Sequence, residues 1–105
     1  MTVTIFTPTY NRAYCLPQLY KSLCSQTTLD FEWIIVDDCS TDNTKNLIEE
    51  WVSEKKIDIK YFIQPVNGGK HRAINQGVTM AQGELFFIVD SDDFLTEDAV
   101  ESIIL

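Results

Sequence analysis

Two acidic clusters carry most of the chemistry available to this chain. Asp37-Asp38 follows the apolar run Trp33-Ile34-Ile35-Val36, and Asp90-Ser91-Asp92-Asp93 follows Leu85-Phe86-Phe87-Ile88-Val89. Carboxylates crowded together repel one another and destabilise a fold unless a positive charge stands among them. A divalent cation meets that need. Mg2+ and Mn2+ prefer oxygen ligands, and Mg2+ commonly takes one or two carboxylates together with phosphate oxygens. Lys70 and Arg72, just after the turn Asn67-Gly68-Gly69, offer further positive charge for phosphates. Gly68-Gly69 either presents backbone N–H groups to a phosphate or simply makes the turn. Tyr10, in Thr7-Pro8-Thr9-Tyr10-Asn11-Arg12, either packs on the rim of a site or stacks on a planar base. Other polar residues have plainer readings. Asp42 and Asp98 suit helix caps, Asp30 and Asp58 the surface, and His71, the only histidine, a surface hydrogen bond.

The acidic clusters need a scaffold that brings them together, and the hydrophobic pattern supplies one. Residues 3–6 read as a first strand. Leu16, Leu19, Tyr20 and Leu23 recur at helical spacing. Residues 32–36 form a second strand, followed by cap candidates at Ser40 to Asn43 and a helix through Leu47, Ile48, Trp51 and Val52. Residues 57–63 alternate as a half-exposed strand does. A helix over 70–81 should bury Ile74, Val78 and Ala81, and Gly83 should end it as a left-handed cap. Residues 85–89 are apolar on both faces and read as a central strand. Thr96 should cap a last helix, with Glu97 and Asp98 against its dipole. Trp33 and Trp51 belong to the core. Such alternation of strand and helix implies a Rossmann-like three-layer α/β/α fold with a mostly parallel sheet. All strand C-termini then share one edge, where ligands bind, and both acidic clusters fall on it.

The chain has 105 residues, enough for one domain, with 45% hydrophobic and 23% charged residues. Its net charge of −8 excludes nucleic acid as a partner, which needs a basic surface. An acidic rim would also repel a bare diphosphate, but a bridging metal reverses that. No apolar run reaches the roughly 20 residues of a membrane span, and no signal-peptide layout opens the chain. Three cysteines without metal-type spacing read as reduced thiols. Together these features point to the cytoplasm. The sequence stops inside an apolar helical pattern, Ile103-Ile104-Leu105, so more chain is expected to follow.

With these residues in view, the chain resembles the family 2 glycosyltransferases of GT-A fold along nearly its whole length. Thr7 to Arg12 looks like that family's opening strand-end signature. Phe31 to Asp42 is similar to its second block, in which Gly often stands at the place of Cys39. Asn67-Gly68-Gly69-Lys70 through Asn75-Gln76-Gly77 looks like its third, and Asp90-Ser91-Asp92-Asp93 like its Asp-x-Asp metal motif. The resemblance implies transfer of a sugar from a nucleotide diphosphate donor, UDP-like, to an acceptor hydroxyl with inversion. Residues 1–105 would be the donor-binding part, ending after the fourth strand and its helix. Pro8, Thr9 and Tyr10 would line the base and Asp38 would accept a hydrogen bond from it. Asp90 would face the ribose and the metal, and Asp92 would be the main ligand of Mn2+ or Mg2+ with Asp93 close by. Arg12, Gly69, Lys70, Arg72 and Ser91 would complete the nucleotide-sugar site. The catalytic base and the carbohydrate or lipid-linked acceptor site would lie beyond Leu105. Two other classes share parts of the pattern. A non-catalytic nucleotide-binding module fits the same residues. A phosphoryl-receiver domain has strand-end aspartates too, but after its first and third strands rather than its second and fourth.

Overall fold

The computed structural model describes residues 3–104, the side chain of Lys70 excepted. Four strands and four helices alternate: β1 (Val3–Thr9), α1 (Leu16–Cys24), β2 (Phe31–Asp37), α2 (Thr44–Glu54), β3 (Asp58–Ile63), α3 (Gly69–Met80), β4 (Leu85–Ile88) and α4 (Ala99–Ile104). The sheet is parallel throughout, in the order β3-β2-β1-β4. Val3 lies beside both Phe31 and Leu85, and Thr9 beside Asp37. Side chains of a strand alternate between faces, and the two faces here carry separate cores. Val3, Ile5, Phe31, Trp33 and Ile35 pack under Leu16, Leu19 and Leu23 of α1, Ile48 and Trp51 of α2 and Val100 of α4. Phe6, Ile34 and Val36 pack under Ala73 of α3 on the other face. The three layers expected from the alternation are therefore present.

Several local expectations differ from what is observed. The strand read as central, β4, is an edge strand among the described residues: it pairs only with β1, and Leu85, Phe87 and Ile88 are half-exposed. Its apolar composition predicts cover on both sides, yet α4 packs towards α1 instead, tied to it by Gln26, whose amide donates to the Thr96 carbonyl and whose carbonyl accepts from Val100 N. In α3, Val78 is exposed, whereas Ala73 and Gly77 face the sheet. Small residues win here because the helix lies directly on the Phe6 ring: a Cβ on Gly77 would come within 2.2 Å of it. Val52 in α2 is likewise partly exposed. Gly83 is not a left-handed cap, since α3 ends at Met80 with an extended Ala81 and only Gly69 has positive φ among the described glycines. Gly83 is needed for close approach instead, a Cβ there lying 2.6 Å from Thr4 N. The Thr96 hydroxyl bonds Asp98 rather than capping, and α4 begins at Ala99.

The end of the sheet remote from the acidic edge is fastened by a buried carboxylate. Glu32 is fully buried and accepts from Thr4 Oγ1 at 2.6 Å, Lys60 Nζ at 2.5 Å, Gln82 N at 2.6 Å and Gly83 N at 3.1 Å. It thereby joins β1, β2, β3 and the link between α3 and β4. Burial alone would push its carboxyl up, but the Lys60 ammonium, the Thr4 hydroxyl and the two amides outweigh it and hold the group below the ordinary glutamate value. A depressed folded value means that the contribution is complete above the unfolded value of about 4.3 and is lost as pH falls through the lower folded one. Glu32→Gln should therefore lower stability by about 3 kcal/mol at neutral pH, because Lys60 is left without its partner. Urea melts should also show that the variant loses less stability than the parent on acidification. Parallel pH profiles would contradict the assignment.

Candidate functional site

The loops after β1, β2 and β4 converge because the three strands are parallel neighbours in near register. Between the first and last of these loops lies a hollow of about 290 Å³ lined by Pro8, Thr9, Tyr10, Arg12, Asp90, Ser91 and Asp92. Asp93 N donates to Asp90 O at 3.0 Å, closing a turn that folds the acidic run back on itself. As a result Asp90, Asp92 and Asp93 each bring a carboxylate oxygen within 4.8 Å of the others. Asp90 is half-buried, and Asp92 and Asp93 are exposed. An all-oxygen set of this kind, open to solvent on one side, fits Mg2+ or Mn2+, which keep water or phosphate oxygens in their remaining positions. A second feature lies beside the same hollow. The Thr9 hydroxyl is buried without a partner among the described residues, as a group awaiting a ligand or water would be.

The other acidic pair divides. Adjacent strand residues point to opposite faces, so Asp37 and Asp38 cannot act together. Asp37 is 1% exposed and belongs to the fold, not to the rim. One of its oxygens accepts from Ser40 N and Ser40 Oγ, the other from Tyr61 OH. Burial, then the bond to Asp37, holds the Tyr61 phenol far above its ordinary value, so it remains a donor. The expected gathering of five carboxylates thus reduces to the Asp90–Asp93 group plus Asp38. Asp38 does share the edge: its amide donates to Thr9 O at 2.9 Å. Its carboxylate accepts from Gly68 N at 2.7 Å and Gly69 N at 2.9 Å. Those two glycine amides therefore face Asp38 and not the acidic hollow. Gly69 is a glycine for its backbone, with φ of 80°.

The two described arginines divide between two hollows. Arg12 lines the hollow and donates to Tyr14 OH at 2.6 Å. Arg72 lines a different hollow, beside Gln64. The side chain of Lys70 lies outside the described residues. His71 is exposed. Ser91 is buried and hydrogen-bonded with Cys15; burial pushes that thiol up, and the Ser91 bond and the Arg12 charge oppose the shift.

One residue that the sequence reading passed over organises the loops. Asn11 has φ of 52°, a left-handed conformation that asparagine tolerates. Its amide donates to Ser40 Oγ at 2.9 Å, and its Oδ1 accepts from Thr41 N at 2.7 Å and Asp42 N at 3.2 Å. Asp42 returns the link, accepting from Ala13 N at 3.2 Å, while its other oxygen accepts from Thr44 N at 3.1 Å just ahead of α2, whose N-cap position is Asn43 and not Asp42. Tyr10 and Arg12, on either side of Asn11, are held at the hollow by this clasp. The one available signal was the residue type, since Asn in a short post-strand loop is a candidate for positive φ. Cys39 also has positive φ, 68°, at the position where the resemblance expects Gly.

Comparison with known proteins follows the same lines. Residues 4–105 match the family described as Glycosyl transferase family 2. The chain is 30% identical to the poly(ribitol-phosphate) beta-N-acetylglucosaminyltransferase TarS of Staphylococcus aureus over 103 residues, covering 96% of this chain and 18% of TarS. It is 35% identical to the abequosyltransferase RfbV of Salmonella typhimurium over 102 residues, 95% of this chain and 31% of the relative. Among solved structures, S. aureus TarS 1-349 in complex with UDP-GlcNAc superposes with a TM-score of 0.92 at 32% identity, over 99% of this chain and 30% of that one. The mannosyltransferase PcManGT of Pyrobaculum calidifontis, in complex with GDP-Man and Mn2+, gives 0.82 at 28% identity, over 88% and 28%. The chain thus spans less than a third of the length of these proteins.

The clasp makes a graded prediction. Asn11→Gly keeps the backbone freedom but loses the acceptor, and should cost about 1 kcal/mol. Asn11→Ala loses both and should cost about 2 kcal/mol. Equal losses for the two variants in chemical denaturation would contradict the left-handed strain argument.

Proposed function

The chain belongs to Glycosyl transferase family 2, and from that premise we propose that it forms the donor-binding part of an enzyme that transfers a sugar from a nucleotide diphosphate, UDP-linked by preference, to an acceptor hydroxyl with inversion. The observation that carries the reading is the cluster Asp90, Asp92 and Asp93 at the mouth of the Tyr10 hollow. Asp92, exposed and central in the run, is the principal metal ligand, with Asp90 and Asp93 beside it. Pro8, Thr9 and Tyr10 line the base and ribose. Asp38 accepts from the base on the far side of Thr9, its spare lone pairs remaining after the two glycine amides. Arg12 swings between Tyr14 and the diphosphate, and Gly69, Lys70 and Ser91 complete the rim.

A bound Mn2+ or Mg2+ supplies Lewis-acid stabilisation of the charge that builds on the leaving diphosphate. This chain's residues fix the donor's position so that no reorganisation is needed as that charge grows. Support for a metal and a nucleotide sugar comes from the Mn2+ and GDP-Man of PcManGT and the UDP-GlcNAc of TarS. The base that deprotonates the acceptor, and the carbohydrate or lipid-linked acceptor itself, are assigned to sequence outside this chain, in keeping with the greater length of its relatives. No helix among the described residues is long and apolar enough to cross a membrane. The cytoplasm, where nucleotide sugars are supplied, is the proposed location.

Asp92→Ala should abolish Mn2+-dependent nucleotide binding while the protein stays folded. Asp42→Ala should keep the Mn2+ dependence of binding and cost about 1 kcal/mol of stability through the lost hydrogen bonds to Ala13 N and Thr44 N. Calorimetric titration with UDP, paired with thermal melts, separates the two. Retention of Mn2+-dependent affinity in Asp92→Ala would refute the metal assignment.

A further inference from the structure

A second hollow, of about 400 Å³, shares no residue with the acidic one and is lined by Phe62, Gln64, Pro65, Arg72, Asn75, Gln76 and Thr79. Arg72, Asn75, Gln76 and Thr79 recur at spacings of three and four, so they form one polar stripe along α3. The stripe meets the end of β3, where Gln64 is pinned by its amide donating to Asp37 O at 2.8 Å.

Three features of this hollow bear on what it could hold. The Gln64 side chain is 4% exposed, and its amide nitrogen has no partner among the described residues. A buried donor left unmade is destabilising, so its retention asks for a reason. Arg72 is exposed and makes no ion pair among the described residues, so its guanidinium is open to an anion. Finally, Gly68 has an ordinary negative φ and needs no glycine for its backbone. A Cβ at Gly68 would lie 2.4 Å from Arg72 Cδ and 3.0 Å from its Nε. The missing side chain leaves room for the Arg72 arm to lie across Gly68 beside the hollow.

We propose that this hollow is a second binding site, for an oxyanion, either a phosphate or a carboxylate carried on a polar molecule. Arg72 presents its planar fork of donors, the Gln64 carboxamide donates from the floor, and Asn75 donates from the next turn of α3. Phe62 and Pro65 form an apolar wall for the rest of the ligand. The site needs no metal and stands apart from the donor site, so it does not depend on the function proposed above.

The test is a titration of the 15N-labelled protein, in metal-free buffer at physiological ionic strength, with inorganic phosphate and separately with glucuronate. Saturable shifts of the Gln64 side-chain amide and Arg72 Nε are expected with at least one of the two, and the one that saturates identifies the ligand's charged group. Arg72→Ala should weaken that binding at least about tenfold. Gln64→Leu should weaken it too without lowering the melting temperature, a combination that a merely structural glutamine would not give. Asp92→Ala should leave it unchanged. Linear, non-saturating drift with both anions, or equal affinity in Arg72→Ala, would overturn the proposal.

Discussion

Backbone hydrogen bonding on both flanks of β1 decides where the loops after β1, β2 and β4 meet. Only a strand paired in parallel with two neighbours can bring the segments after residues 9, 37 and 88 to one edge. The amide of Asp38 bonds the carbonyl of Thr9, and the amide of Val89 that of Phe6, so the ladder continues into the loops that carry the polar groups. Pro8 fits this plan. It has no N–H to give, and it sits beyond Phe6, where the β1–β4 ladder ends. The Trp33 indole, which donates to Thr7 Oγ1 at 2.9 Å, and Thr7, which donates to Val89 O at 2.8 Å, tie the same three strands together just beneath the site.

The two ends of the sheet solve opposite electrostatic problems. At the far end one carboxylate, Glu32, is surrounded by donors and fully satisfied. At the near end Asp90, Asp92 and Asp93 are crowded within reach of one another, on a protein whose net charge is already −8. Charge is matched by donors at the first end and crowded with its own sign at the second. The clasp of Asn11 on Ser40, Thr41 and Asp42 keeps the crowded end from spreading, because it fixes the β1 loop to the β2 loop independently of the acids.

Much of this was legible in the residues. The order of strands and helices followed from apolar periodicity, and the parallel sheet from their alternation. The acidic run after β4 was legible because four consecutive polar residues after a wholly apolar strand have few structural uses. What stayed hidden has physical reasons. Asp37 and Asp38 look equivalent in sequence, yet the pleat sends one into the core against Tyr61 and the other towards α3. Val78 fits a helical stripe, but the close seating of Gly77 on Phe6 rotates α3 so that Val78 faces outward. Gly83 and Gly68 carry no signal of their own, since each is glycine because of an atom distant in sequence or folded back over it. The edge position of β4 contradicts its apolar composition, which reports how much cover a strand is built for rather than which strands pair with it here.

In the proposed function the Asp90–Asp93 group would hold a cation together with the donor's diphosphate. Linkage then requires that nucleotide and metal strengthen each other by the same factor. The direct measurement is the free Mn2+ concentration, followed by its electron paramagnetic resonance signal, as Mn2+ is added to the protein with and without saturating UDP and corrected for Mn2+ bound by UDP alone. Manganese affinity should rise with UDP present, by the same ratio as UDP affinity rises with Mn2+. Identical Mn2+ binding curves in the two titrations would contradict the account.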